Sequence, residues 1–181
     1  IDTIKQQVRK LLDDRRKIDA SVPPDVFMTM SRSLVAAIDA RQDEYVRARA
    51  LTARARQRID TLKSDQEKRA VADELEKTKA QLADETALRL SEDYEKGSLL
   101  AFYFAEQLNG FEGSGFDIAS SVRDMILAFD GTKESDRLGQ FADARKRAAA
   151  AREARKTTRP TSIIVENPVT TRLIEIKELI D

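Results

Sequence analysis

The chain has 181 residues, enough for one domain or one elongated bundle, and its 32 basic residues balance 32 acidic ones. With no net charge there is no global field to attract nucleic acid or a membrane surface. Cysteine and histidine are both absent, which excludes disulfides, thiolate nucleophiles, imidazole bases and histidine-bound zinc, and with them most familiar enzyme chemistry.

Charged residues make up 35% of the chain, against only 6 glycines and 4 prolines. That balance favours long helices, and an apolar share of 41% is too high for a disordered chain. No stretch approaches the roughly 20 apolar residues of a membrane span; the longest candidate is Leu99–Ala105.

The first helix is predicted over about residues 2–20, where Ile1, Ile4, Val8, Leu11 and Ile18 recur at spacings of three and four. The slot this repeat demands between Leu11 and Ile18 is filled by Arg15. The stretch "SVPPD" (21–25) then breaks the helix, because Pro24 disfavours helical geometry at Pro23, and Asp25 can cap the next helix. That second, long helix spans about 25–63, with Phe27, Met30, Leu34, Ile38, Tyr45, Ile59 and Leu62 expected inward and Arg41 in another core-facing slot.

"SDQE" (64–67) matches a capping box at the start of a third helix, about 65–108, through Leu75, Leu82, Leu90, Leu100, Phe104 and Leu108. Gly97 is expected to kink it, since glycine costs about 1 kcal/mol relative to alanine inside a helix. "NGFEGSG" (109–115) holds three of the six glycines and reads as a tight connection. Ser114 with Asp117 can cap a fourth helix, about 115–129, facing inward through Ile118, Val122, Met125, Ile126 and Phe129. A fifth helix covers about 133–157. After an irregular link, Asn167 caps a sixth with Pro168 at its first position, burying Val169, Leu173, Ile176 and Ile180.

Residues 41–63 carry seven basic and three acidic side chains, and residues 65–96 carry six basic and ten acidic. Opposite charge balances on two long helices joined by a capped turn predict an antiparallel hairpin. At 1.5 Å per residue each would run about 55–65 Å, against about 20–30 Å for the shorter helices. The fold class is therefore all-α: an elongated antiparallel helical bundle of about six helices, two of them long, forming a single domain over residues 1–181. Its helical segments would suffice for two stacked four-helix modules.

Three constellations could carry function. Arg15, Arg41 and, at the edge of an apolar stripe, Arg123 either await a carboxylate that their planar forks can read bidentately, or snorkel outward or pair with Asp14, Asp39 or Asp124. "LLAFYFAEQL" (99–108) sets Phe102, Tyr103 and Phe104 in succession, so the aromatics point in three directions. It reads either as a fully enclosed helix or as a pocket or dimer seam lined by Tyr103. "ARKRAAAAREARKTTR" (144–159) holds seven basic residues and one acid. With no aromatic interleaved, it reads as a solvated helix face in preference to a phosphate-binding surface. No acidic pair is singled out as general acid and base, and no phosphate loop or calcium loop occurs. Catalytic residues, metal ligands and cofactors are accordingly expected to be none.

Within 122–154, "VRDMILAFDGTKESDRLGQFADARKRAAAAREA" resembles a helix–turn–helix of bacterial extracytoplasmic sensor domains. There a VRxxxLA(Y/F) helix precedes a short Gly/Thr/Lys/Asp turn and an Ala-rich helix. "NPVTTRLIEIKELID" (167–181) is similar to the helix that returns such domains to the membrane. The resemblance is to the ligand-binding regions of methyl-accepting chemotaxis proteins, in the four-helix-bundle and helical bimodular classes.

It implies a periplasmic domain of an inner-membrane protein, with one span before Ile1 and one after Asp181. It also implies a homodimer that takes a small, anionic molecule such as an organic acid between helices, with no nucleic acid. Arg123, Arg15 and Arg41 would hold the anion, Tyr103 would line the site, and a helix shift of an ångström or two would carry the signal. The competing expectation is a non-enzymatic coiled-coil scaffold that binds another protein through the 25–108 hairpin. A nucleic-acid-associated protein using 144–159 ranks third.

Overall fold

A computed structural model of the chain describes residues 2–111, 118–134 and 136–158. Among them all regular structure is helical, in the order α1 (Asp2–Ile18), α2 (Val26–Thr61), α3 (Asp65–Glu95), α4 (Ala101–Phe111), α5 (Ile118–Leu127), α6 (Arg137–Gln140) and α7 (Ala142–Thr158). The all-α class with two long helices is as expected. The sixth predicted helix and the Ser114–Asp117 cap lie outside the described residues. Ile1–Ala149 form one compact unit and Ala150–Asp181 a second; of the latter, residues 150–158 belong to α7.

α1 buries Val8, as expected, and Leu12 in place of the predicted Leu11. Ile18, expected inward, is 77% exposed. After α1 the Asp19 carboxylate accepts hydrogen bonds from the Ser21 amide and hydroxyl, an Asx turn that reverses the chain ahead of the prolines. Asp25 caps α2 as predicted, accepting from the Met28 amide at 2.8 Å.

α2 and α3 form the antiparallel hairpin. Asp39 pairs with Arg89, Arg47 with Glu85 and Arg58 with Glu74, so partners descend along α3 as they ascend along α2. The α3 cap differs from expectation. Ser64 sits at the N-cap in extended conformation, but its side chain makes no capping bond, so the capping box does not form.

The predicted 65–108 helix is two helices. Gly97, at φ +102°, ends α3: its amide bonds the Tyr94 carbonyl and the Ser98 amide bonds the Asp93 carbonyl. This paired 5→2 and 6→1 pattern is a Schellman motif, which stops a helix instead of bending it. Close approach adds a second demand for glycine, since a Cβ here would lie 2.9 Å from Cγ1 of buried Val22. The α1–α2 turn therefore packs onto the α3–α4 break.

That break turns "LLAFYFA" into the centre of the unit. Leu99 through Ala105 are all buried, the enclosed reading of this segment. Phe102 stacks on Phe141 at 4.5 Å and Tyr103 meets Phe129 edge-on. Of the inward residues expected on α2, Met30, Leu34 and Ile38 pack partly buried against the core, but the bulk supplied by α4 gives the helix a different fully buried face. Thr29, Ser33, Ala37 and Ala40 are buried there, small residues that let the α2 backbone approach the aromatic helix. Ser33 completes the contact, accepting from the Leu100 amide and donating to the Thr29 carbonyl. Phe27, expected inside, is left 80% exposed.

Candidate functional site

The four residues singled out in the sequence do not converge. Arg123 is exposed on α5. Arg41 is half-buried and committed, its guanidinium donating to Glu44 and to the Asn109 side chain at 2.7 Å each. Tyr103 is buried and its hydroxyl donates to the Met125 carbonyl, tying α4 to α5. Burial, and then the charge of Glu134, raises its pKa. Arg15 lines a cleft.

That cleft has a volume of about 260 Å³. One face of α1 supplies Leu11, Asp14, Arg15 and Ile18, spaced one helical turn apart; α3 supplies Tyr94, and the start of α6 supplies Arg137 and Leu138 beside Asp136. Arg15 donates through Nη2 to the Glu95 carbonyl at 2.9 Å, serving one of the orphan carbonyls at the end of α3. Its Nε is buried with no partner. The Glu95 carboxylate is held separately by Arg145 of α7.

Beside the cleft lies a charge cluster that sequence reasoning missed. Glu134, 1% exposed, grips the guanidinium of buried Arg137 bidentately, at 2.8 Å to Nε and 2.7 Å to Nη2. Glu106 of α4 takes Nη1 and Nη2 from the other side, and Gln140 accepts from Nη1 as well. All five guanidinium donors are thus engaged. Burial works against the charge, but the bonds to Glu134 and Glu106 outweigh it and raise the arginine pKa, so it stays protonated at any working pH. The signal in sequence was weak: Glu134 and Arg137 stand one turn apart in a turn-rich segment, and Glu106 lies at the exposed end of an apolar run.

Chemically this cluster is a structural clamp, since Arg137 has no donor left for a ligand. The cleft's own charges also cancel, with Asp14 and Asp136 against Arg15 and Arg137, and Asp14 further paired to Lys17. The capacity left for an anion is what Arg15 keeps beyond its Nη2 bond to the Glu95 carbonyl, its buried Nε included. Among the described residues no group of three or more metal-binding side chains occurs. None of their helices is long and apolar enough to cross a membrane. Two residues of the basic α7 stretch are taken up by acids of α3: Arg145 by Glu95, and Arg147 by Asp84 in a bidentate pair at 2.7 Å.

A second candidate is the outer face of α2. Phe27, Met28, Val35 and Val46 are exposed along it, Val35 at 60% and Val46 at 58%. Further along, the hairpin leaves the core: Ala55, Val71 and Leu82 are buried between α2 and α3 outside the main cluster, and the grooves there are lined from these two helices alone. The chain matches no protein-family model, no curated protein and no solved structure at a significant level.

Proposed function

We propose that the chain is a non-enzymatic helical interaction module that binds another protein through the outer face of α2. The observation that supports this reading is the run of large apolar side chains left in solvent on one helix, headed by Phe27 at 80% exposure. Single exposed apolar residues are ordinary, but several aligned on one face mark a surface meant to be covered. The hairpin with α3 gives that surface a stiff support.

The test is retention. The purified chain, fixed to a resin, is exposed to extract of cells that make it, beside a Val35→Glu variant with unchanged helicity. A protein, or further copies of the chain, held by the wild type and lost from the variant supports the reading. Equal retention by both overturns it.

A second reading is a ligand-sensing domain of the chemoreceptor type, extracytoplasmic and flanked by membrane spans. The cleft at Arg15 favours it, because a buried guanidinium nitrogen without a partner is a natural contact for a carboxylate. A screen of organic acids and amino acids would then yield a compound that raises the melting temperature of the wild type. The same compound would leave Arg15→Ala unmoved. No response from either protein across such a panel removes this reading.

A further inference from the structure

α2 carries two apolar faces. The inner one, through Thr29, Ser33, Ala37 and Ala40, is filled by the core. Roughly half a turn away, at about 100° per residue, lie Met28, Ser31, Val35, Ile38, Gln42 and Tyr45. Their spacing alternates three and four, the pattern of a two-stranded coiled-coil seam. Ile38, which also packs partly against the core, and Tyr45 are half-buried, and the other four are exposed.

This seam reads the same in both directions. Inward from either end the order is apolar, polar, apolar, so Met28 answers Tyr45, Ser31 answers Gln42, and Val35 answers Ile38. Phe27 and Val46 flank the two ends in the same relation. A self-complementary surface of this kind fits a two-fold axis, where residue i meets j and j meets i.

The flanking charges decide the direction of the partner. Arg32 and Asp39 stand one heptad apart on the same side of the seam, at the positions next to it. In a parallel pair each would face an apolar residue, Phe27 or Leu34, of the other helix. In an antiparallel pair Arg32 faces Asp39 twice over. Arg32 is exposed and makes no ion pair among the described residues, while Asp39 is exposed and meets Arg89 only at 3.6 Å.

We infer that α2 is a homotypic seam through which two copies of this chain pair antiparallel about an axis between Val35 and Ile38. This rests on the interaction-module reading and names its partner. The Ser31–Gln42 layers would fix the register, as polar layers do in coiled coils, and the two Arg32–Asp39 pairs would exclude the parallel alternative.

Because the chain has no cysteine, single labels can be placed cleanly. Ala53 is exposed beyond the seam on the same face. A spin label on Ala53→Cys should report about 50 Å between copies in the antiparallel pair and roughly 10 Å in a parallel one, from 1.5 Å of rise per residue and the usual helix spacing. Sedimentation across a concentration series should show a monomer–dimer equilibrium that Val35→Glu abolishes. Arg32→Glu should weaken it about tenfold or more through like-charge contact, and Arg32→Glu with Asp39→Arg should restore it.

A dimer with the short label distance, or one indifferent to these substitutions, overturns the inference. So does a monomer at every concentration. If that monomer still retains another protein through a Val35-dependent face, the broader reading stands without this partner; if it retains none, both fall. A monomer in which a cysteine at position 35 resists alkylation also refutes the seam, since the chain itself would then cover it.

Discussion

Arg137→Met tests the assignment of the buried clamp. The substitution keeps an unbranched stem of similar volume but strips the Glu134 carboxylate, 1% exposed, of both hydrogen bonds it accepts from Arg137. Glu106, by contrast, is about half exposed and can return to water. The loss should therefore come almost entirely from one stranded buried charge, about 3–5 kcal/mol. For a domain of this size that is a fall of roughly 6–20 °C in melting temperature. Thermal and urea denaturation followed by circular dichroism at neutral pH would measure it.

Two companion variants separate the cause from mere loss of packing. Adding Glu134→Leu to Arg137→Met removes the stranded charge and should recover most of the deficit. Glu106→Gln alone should cost only about 1 kcal/mol, as for a partner that is largely hydrated. A deficit below about 1 kcal/mol for Arg137→Met would refute the reasoning. So would a double variant no more stable than the single one.

Other positions give sharper contrasts. Gly97→Ala should destabilise by about 2–3 kcal/mol, since it meets both the positive φ and Val22 Cγ1; Val22→Ala in the same chain should return the steric part, as read by urea midpoints. Asp25→Ala should cost about 1 kcal/mol of cap energy, whereas Ser64→Ala, at a cap with no side-chain bond, should fall within about 0.5 kcal/mol of wild type. Burial raises the pKa of both Tyr94 and Tyr103, so the folded chain keeps these protons past the pH at which the unfolded chain releases them. Stability from this source is complete below about pH 10 and is lost as pH climbs beyond it. Melting curves taken at increasing alkaline pH should show that decline, and Tyr103→Phe should flatten it while costing about 1–3 kcal/mol at neutral pH for the unanswered Met125 carbonyl.

What could be read from the sequence was what local chemistry decides. The Asp25 cap, the proline break, the antiparallel hairpin and the enclosure of residues 99–105 each depend on near neighbours or on charge balance over a long stretch. Gly97 was visible as a disturbance, but not that its φ and Schellman bonds end the helix, nor that Val22 lies against it, a contact across 75 positions of chain. The clamp was hidden for the same reason, since Glu106 reaches Arg137 only once α4 has separated from α3 and folded back. Among the proposed site residues, Arg15, expected in a core-facing slot, is half-buried and lines the cleft. Arg123 stands on the solvent side of a stripe that buries Met125 and Phe129.

α2 shows why periodicity alone picked a face that the core covers only in part, through Met30, Leu34 and Ile38. Apolar residues cover more than half its circumference, so a helical repeat can be drawn through Phe27 and Leu34 as readily as through Thr29 and Ser33. A sequence rule prefers the larger side chains for the interior because they bury more surface. The structure prefers the smaller ones, because α4 already packs closely against that face, as the bond from the Leu100 amide to Ser33 shows, and a second layer of bulk would push the helices apart. Burying the small face leaves Phe27, Met28, Val35 and Val46 in water, while Met30, Leu34 and Ile38 reach the core from its edges. A helix that keeps Phe27, Val35 and Val46 in water, when alanine or a charged residue would form the same helix more comfortably, carries a requirement that the core does not impose. That requirement fits a second surface, and the palindromic order of its residues with Arg32 and Asp39 beside it favours another copy of the same helix over an unrelated partner.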